Sequence, residues 1–386
     1  MKRLRVVESG AGVFGALRDA LAGGDAILVS PRRAGAAGGG ASNAVGGHAD
    51  LPGTVEQRIA LVVETSGSTG RPKRVALSAD ALLANAGASE SALGGPGQWV
   101  LALPTHYIAG LNVLARSLAA ETEPVTVEGE HFTASGFVAA VERMSLPERF
   151  TALVPAQLAT LLDDARACDV LAGFAAVLVG GQATPRALLD RAVAAGIRVR
   201  RSYGSSETSG GCVYDGVPIG TTAVRIVDGE VWLGGPSLAE GYLGEPELTA
   251  ERFVSHAGAR WFRTADGGAF DHGCLSVTGR RDDVLISGGV KVALAAIEAV
   301  LREQPGLDDV VVVAVADERW GEVPVAVTAS TDVDRDAAIL AVASRLGAAA
   351  RPARVLTVKA LPLLASGKVD RLAVRVLATG GRSGTG

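Results

Sequence analysis

The sequence predicts an α/β protein with a large N-terminal part, built of parallel sheets with packed helices, that carries a small β subdomain. A small α+β unit follows at the C-terminus. Three observations predict this. Up to about residue 201, short apolar runs alternate with helix-length stretches, as strands do when helices cross over between them. From Val213 to Val277 the rhythm changes to short strands divided by Gly turns. Past Gly279 it changes again, to helices and strands in one compact block. We place the boundary at Arg281/Asp282. This gives residues 1–281, with the β subdomain at about 212–278, and residues 282–386.

The elements follow in order. Leu4–Val7, Phe14–Leu21 and Ala26–Val29 read as strand, helix and strand. Residues 34–47 are Gly- and Ala-rich without a period and read as a loop. Ile59–Val63 is an unbroken apolar run, as in a strand buried on both faces. Ser78 stands where a hydroxyl caps a helix, here running through Ala92. Trp99–Leu103 reads as strand, Gly110–Ala120 and Phe137–Arg143 as helices, and Ala152–Val154 as strand. Gln157–Asp164 is a helix, Ala175–Val179 a strand, Pro185–Ala195 a helix and Arg198–Arg201 a strand. In the β subdomain the strands are Ala223–Val227, Glu230–Leu233 and Cys274–Val277. The last unit has helices at Ala293–Glu303 and Arg335–Leu346, with strands at Val310–Ala316, Val323–Ala329 and Arg354–Val358.

Composition excludes several classes. The chain has 386 residues, 48% of them apolar, enough for more than one core. Net charge is −4 and no long basic run is present, which argues against a nucleic-acid partner. Cys168, Cys212 and Cys274 are scattered, so neither a disulfide framework nor a cysteine metal site is expected. No apolar run is long enough to span a membrane, and Met1–Arg5 lacks a signal-peptide core. A cytoplasmic protein is expected; whether it forms a homo-oligomer is left open.

The densest chemistry lies in Thr65-Ser66-Gly67-Ser68-Thr69-Gly70-Arg71-Pro72-Lys73, directly after the strand Ile59–Val63. Gly67 and Gly70 let the backbone turn its N–H groups toward an anion. Ser66, Ser68 and Thr69 add hydroxyl donors, and Lys73 a mobile positive charge. The set suits a polyphosphate, although the Gly-Lys-Ser/Thr ending of the Walker loop is missing. A competing signal is Gly10-Ala11-Gly12-Val13-Phe14-Gly15, which fits G-x-G-x-x-G after a strand, with Arg32 and Arg33 placed for a 2′-phosphate. It would make the chain an NADP-dependent oxidoreductase, but it leaves every later motif unexplained.

Those later motifs are Val199-Arg200-Arg201-Ser202-Tyr203-Gly204-Ser205-Ser206-Glu207-Thr208, Trp261-Phe262-Arg263-Thr264-Ala265-Asp266, Thr278-Gly279-Arg280-Arg281-Asp282-Asp283 running on to Ser287-Gly288-Gly289-Val290-Lys291, and Ser366-Gly367-Lys368-Val369-Asp370-Arg371. With the loop 65–73, in this order and spacing, they resemble the adenylate-forming superfamily of acyl-CoA synthetases, peptide-synthetase adenylation domains and luciferases. The likeness runs from about Arg58 to Arg371.

The resemblance implies an ATP-dependent acid–thiol ligase. A carboxylate attacks the α-phosphorus of ATP, and coenzyme A then displaces AMP from the acyl-adenylate. The loop 65–73 would hold the outer phosphates. Tyr203 would stack on adenine with Gly204 beside it, Ser206 would contact the α-phosphate, and Glu207 would hold Mg²⁺, a metal suited to carboxylate and phosphate oxygens. Asp266 would bind the ribose hydroxyls with Arg280 as a second contact; a Gly usually stands where this chain has Ala265. Gly181 and Gln182, after the strand Ala175–Val179, would lie by the adenine and acyl group. Lys368 would bridge carboxylate and α-phosphate during adenylation. Asp282 would be the hinge about which the C-terminal unit, a mobile lid, swings to bring Ser287, Gly288 and Gly289 to the thiol tunnel. His106 or Tyr107 would gate the acyl pocket.

Within the superfamily, the residues from Ser205 to Gly216 are most similar to the actinobacterial o-succinylbenzoate–CoA ligases of menaquinone biosynthesis. On that reading Ser209, Gly210 and Gly211 leave room for an aromatic ring and offer N–H donors. Another aryl or fatty acid is the enzymatic alternative, and a non-catalytic nucleotide-binding module the other. Family members usually carry a longer segment before the phosphate loop, where only 64 residues stand here. The acyl pocket is where a reduced N-terminal portion would be felt.

Overall fold

The computed structural model describes residues 1–32, 50–65, 72–129, 131–281, 283–364 and 369–380. Two sheets form the large part. The first has six strands in the spatial order Gly241–Tyr242, Lys73–Ser78, Ile59–Thr65, Ala26–Ser30, Lys2–Glu8 and Thr54–Val55. The second has seven, in the order Val217–Pro218, Gly210–Tyr214, Val199–Ser205, Ala176–Gly180, Arg149–Leu153, Gln98–Leu101 and Val125–Thr126. Both are mixed. Their centres are parallel, as helix crossovers require. Antiparallel hairpins close them on the side where the ligand cleft forms.

One helix explains how the two sheets share a core. In Ile108–Ala119, every residue from Gly110 to Ser117 is buried. A helix apolar on all sides needs cover on all sides. Its Leu111, Val113, Leu114 and Ala115 join one cluster with Leu61, Val63, Val75 and Leu77 of the first sheet and Trp99, Leu101, Ala152 and Leu178 of the second. Gly110 makes the close approach possible, because a Cβ there would stand 2.3 Å from the Pro104 carbonyl oxygen. The outer face of the second sheet is covered by Ala134–Glu142, Pro155–Leu162, Ala165–Ala172 and Arg186–Ala194, through Phe137, Leu158, Leu171, Phe174 and Leu188.

A smaller antiparallel sheet follows, built on the 13-residue strand Ala259–Asp271. Glu230–Gly234, Phe253–His256 and Cys274–Arg280 pair with it, and Ala223–Val227 pairs with Glu230–Gly234. Gly210–Tyr214 and Val217–Pro218, which fall within or beside the expected β subdomain, belong instead to the seven-stranded sheet.

The last sheet holds Val290–Ala293, Val284–Ser287, Gly321–Thr328, Val311–Asp317 and Arg354–Thr357. Its long central strands turn alternate residues to two covered faces. Val310, Val312 and Ala326 pack with the helices Leu294–Arg302 and Arg335–Leu346. Val311, Val313, Val315, Val325 and Val327 pack with Val374 and Ala378 of the helix Arg371–Gly380.

Candidate active site

An open cleft of about 470 Å³ lies where the first sheet, the second sheet and the small β sheet meet. Lys73, Tyr203, Gly204, Glu207, Asp266 and Arg280 all line it. They come from four separate segments of chain, which the fold brings to one place.

Thr65 and Lys73 are cross-strand partners at the end of the hairpin Ile59–Thr65/Lys73–Ser78. Ser66, Gly67, Ser68, Thr69 and Gly70 lie outside the described residues; Lys73, which follows them in sequence, lines the cleft. Lys73 Nζ stands 5.7 Å from the centroid of the Tyr242 ring, within the range of a cation–π contact.

The strand Val199–Ser205 ends at the cleft with a register shift at Tyr203/Gly204. Only glycine fits at 204: its φ is +157°, and a Cβ would meet the Gly210 carbonyl oxygen at 2.1 Å. The Tyr203 hydroxyl donates to Asp266 Oδ2 at 2.7 Å. Burial, with the Asp266 charge second, pushes the Tyr203 phenol well above its ordinary pKa, so it stays a neutral donor.

Beyond it, Ser206–Thr208 is a single 3₁₀ turn. Thr208 Oγ1 accepts from the Ser205 amide at 2.9 Å and donates to the Gly210 carbonyl at 2.7 Å, locking the turn. Glu207 is aimed by Tyr242, whose hydroxyl donates to Oε1 at 2.8 Å. The Tyr242 phenol is likewise raised, by burial first and by Glu207 second. Among the described residues no group of three or more His, Cys, Asp or Glu side chains could hold a metal ion. One carboxylate fits a Mg²⁺ that takes its other ligands from phosphates and water.

Asp266, in the middle of Ala259–Asp271, is the cross-strand partner of Arg280, the last residue of Cys274–Arg280. Arg280 Nη1 lies 3.9 Å from Asp266 Oδ1 and donates to the Thr264 carbonyl at 3.2 Å. The Asp266 amide donates to Thr264 Oγ1, which donates to the Val231 carbonyl. Ala265 has φ +62°, the left-handed region where an L-residue costs roughly 1–2 kcal/mol. The Ala in the place of the usual Gly is thus a strained residue.

Among the described residues, the other expected ones do not line this cleft. Gly181, with φ +85°, and Gln182 follow the strand Ala176–Gly180. Ser209, Gly210 and Gly211 are packed inward. Asn112 Nδ2 donates to the Ser209 carbonyl at 2.7 Å, Ser209 Oγ donates to the Ser237 carbonyl, and Asn85 Nδ2 donates to the Gly211 carbonyl. His106 and Tyr107 stack at 4.1 Å where the buried helix Ile108–Ala119 begins. His106 Nδ1 is buried without a partner, and burial lowers its pKa.

Ser287, Gly288 and Gly289 form the tip of the hairpin Val284–Ser287/Val290–Ala293. Gly288 (φ +55°) and Gly289 (φ +82°) are both left-handed, as a two-residue type I′ turn requires. Asp282 and Lys368 lie outside the described residues. Sequence reasoning missed Tyr242, Thr264 and Arg252, which also line the cleft. Tyr242 follows a Gly in a Gly-rich stretch, and nothing local marks it; its meaning comes from Glu207, 35 residues away.

The cleft gathers two carboxylates, Glu207 and Asp266, with two cations, Lys73 and Arg280. The family model of the AMP-binding enzyme matches residues 24–243, and that of the AMP-binding enzyme C-terminal domain matches residues 296–368. The chain belongs to this family and is an AMP-forming acid–CoA ligase. It is 42% identical over 331 residues to the probable 2-succinylbenzoate–CoA ligase of Mycobacterium tuberculosis, covering 83% of this chain and 85% of that protein. The Escherichia coli 2-succinylbenzoate–CoA ligase is 32% identical over 332 residues, 82% of this chain and 69% of that one. Among solved structures, wild-type E. coli MenE with a bound OSB-AMS analogue is 30% identical with a TM-score of 0.66, over 83% of this chain and 69% of that one. Bacillus subtilis MenE in complex with ATP and magnesium ion is 27% identical, with a TM-score of 0.68 over 81% and 69%.

The family assignment decides against an oxidoreductase. The glycine fingerprint accords with that: at Gly10, Gly12 and Gly15 a Cβ would meet nothing within 4 Å. Arg33 lies outside the described residues. No helix among the described residues is long and apolar enough to cross a membrane.

Proposed function

We propose that this enzyme activates o-succinylbenzoate with ATP and transfers it to coenzyme A, giving the thioester used in menaquinone biosynthesis. The observation that carries the reading is the convergence of Lys73, Tyr203, Glu207 and Asp266 on one cleft. The likeness to 2-succinylbenzoate–CoA ligases over most of the chain supports the choice of acid.

In the first step a carboxylate oxygen of the acid attacks the α-phosphorus, and pyrophosphate leaves with the electrons of the broken P–O bond. Lys73 and the loop ahead of it hold the outer phosphates. Tyr203 places the adenine, Asp266 and Arg280 the ribose, and Ser206 the α-phosphate. Glu207 would hold a Mg²⁺ ion, which would supply neutralisation of phosphate charge. Lys368 binds the oxygens on which charge grows in the transition state, so its help is differential. In the second step the coenzyme A thiol attacks the acyl carbonyl and AMP departs. Residues 282–386 act as a mobile lid, turning about Asp282 to replace Lys368 with the tip Ser287–Gly289. His106 or Tyr107 gates the acid, and Ser209 to Gly211, with Gly181 and Gln182, shape the wall behind it. A cytoplasmic location suits these substrates.

The test is pyrophosphate release with ATP and Mg²⁺ across a panel of aryl and fatty acids, with and without coenzyme A. Release with o-succinylbenzoate, and thioester only when coenzyme A is added, is expected. Turnover of another acid alone would overturn the substrate. ATP binding with no release for any acid would leave a binding module.

A further inference from the structure

We infer that Glu230, a residue outside the cleft, is the positioning residue for Asp266: its buried carboxylate holds the turn that aims this acid at the nucleotide ribose. The inference rests on the ribose-binding reading of Asp266.

Glu230 is 5% exposed, yet it is a carboxylate. Buried acids are rare without full compensation, and here compensation is nearly complete. Oε1 accepts from the Ala265 amide at 3.0 Å. Oε2 accepts from Trp232 Nε1 at 3.1 Å and from Arg263 Nε and Nη2 at 3.2 and 3.1 Å. The Arg281 guanidinium stands 3.8 Å away. Burial alone would raise the Glu230 pKa; the hydrogen bonds from Trp232, the Ala265 amide and Arg263 outweigh it and hold the group ionised.

The recipient of that Oε1 bond is the strained residue. Ala265 lies in the left-handed region with its amide bound by Glu230 and its carbonyl bound by the Arg281 amide at 2.8 Å. Such a conformation persists only where the surroundings over-determine it. Asp266 is the next residue, so the direction of its side chain depends on this peptide being held. Glu230 does no chemistry itself and touches no ligand; it acts through Ala265.

The test is a set of variants read by AMP affinity in calorimetry, by KM for ATP and for the acid, and by thermal unfolding. Glu230→Asp keeps the charge beside Arg263 and Arg281 but withdraws the oxygen from Ala265; Glu230→Gln removes the charge. Each is expected to weaken AMP binding and raise KM for ATP by about tenfold, the order of one lost bond to a charged group, with KM for the acid little changed. Adding Ala265→Gly to either should recover part of the AMP affinity, because Gly takes positive φ without strain but lacks the clamp. If both Glu230 variants lower thermal stability while AMP affinity of the folded protein is unchanged, or if Ala265→Gly recovers nothing, Glu230 is only structural. Asp266→Ala separates the two readings. If it leaves AMP affinity intact, the ribose assignment itself fails. If it abolishes affinity while the Glu230 variants do not, only the positioning role fails.

Discussion

The nucleotide cleft and the glycine hairpin of the last sheet solve opposite problems. In the cleft the working acids already have protein partners: Tyr203 holds Asp266, and Tyr242 holds Glu207. Such a site is preorganised, and a ligand meets dipoles already in place. The hairpin at Gly288–Gly289 has the reverse character. Val284 and Ile286 on one face, and Val290 at the tip, stand in solvent, as does Trp320 against Gly288, all four more than a third exposed. The difference sets carboxylates that already have protein partners against a hairpin whose outward side chains have little cover.

The strongest way to break that contrast is Lys368→Ala. We expect acyl-adenylate formation to fall on the order of 10²-fold or more, as when an electrostatic stabiliser is lost, with thioester formation from pre-made adenylate spared. Single-turnover assays of the two half-reactions decide it. Equal losses in both would mean that Lys368 serves structure alone.

Gly289→Leu should show the opposite asymmetry. The structure has nothing within 4 Å of a Cβ there, so the side chain itself has room. The positive φ adds roughly 1–2 kcal/mol of local strain. Coenzyme A-dependent turnover should drop at least tenfold while ATP–pyrophosphate exchange is retained. Exchange falling in parallel would remove the hairpin from the thiol step.

A milder change sharpens the cleft side. Tyr242→Phe removes the donor to Glu207 Oε1 and little else. A neutral donor to a charged acceptor is worth about 1.5–3 kcal/mol, so the Mg²⁺ concentration for half-maximal exchange should rise by about tenfold or more. An unchanged Mg²⁺ dependence would mean that Glu207 needs no such support.

The smallest expected effect is one of pH. Burial lowers the His106 pKa below the ordinary 6.5. Below pH 6.5 the unfolded chain takes up a proton that the folded one resists, so the contribution is present above that pH and lost as pH falls. Thermal unfolding between pH 5 and 8 should decline more steeply on the acid side for the native protein than for His106→Gln. Parallel profiles would place this histidine in a solvated setting.

Much of the fold was legible because its signals are local. Ile59–Val63 reads as a buried strand from five residues, and Ser78 reads as a cap that the structure confirms through its bond from the Ala81 amide. The strand Lys73–Ser78 was not legible, since its pairing with Ile59–Thr65 is across a polar loop whose composition says only that the chain turns. The helix Ala165–Ala172 hides behind Arg166 and Asp169, with two buried side chains for its whole length. In the site, the motifs named Tyr203, Glu207 and Asp266, but not what aims them. Tyr203 and Asp266 meet across 63 residues, and Glu230 reaches Ala265 across 35. Contacts of that span are consequences of sheet topology and leave no mark on either neighbourhood.

The buried helix Ile108–Ala119 has a consequence for altering the choice of acid. His106 and Tyr107, in ring contact, lead into its first turn, and its Asn112 grips the carbonyl of Ser209, two residues past Glu207. A single helix is thus a common mount for the His106–Tyr107 pair and the turn Ser206–Thr208, which the proposed function assigns to the acid pocket and the metal. With no free face to slide along, it transmits a shift at one end to the other. Selectivity engineered by repacking this rod will therefore be entangled with nucleotide affinity, and a clean exchange of acid must be sought on surfaces the rod does not carry.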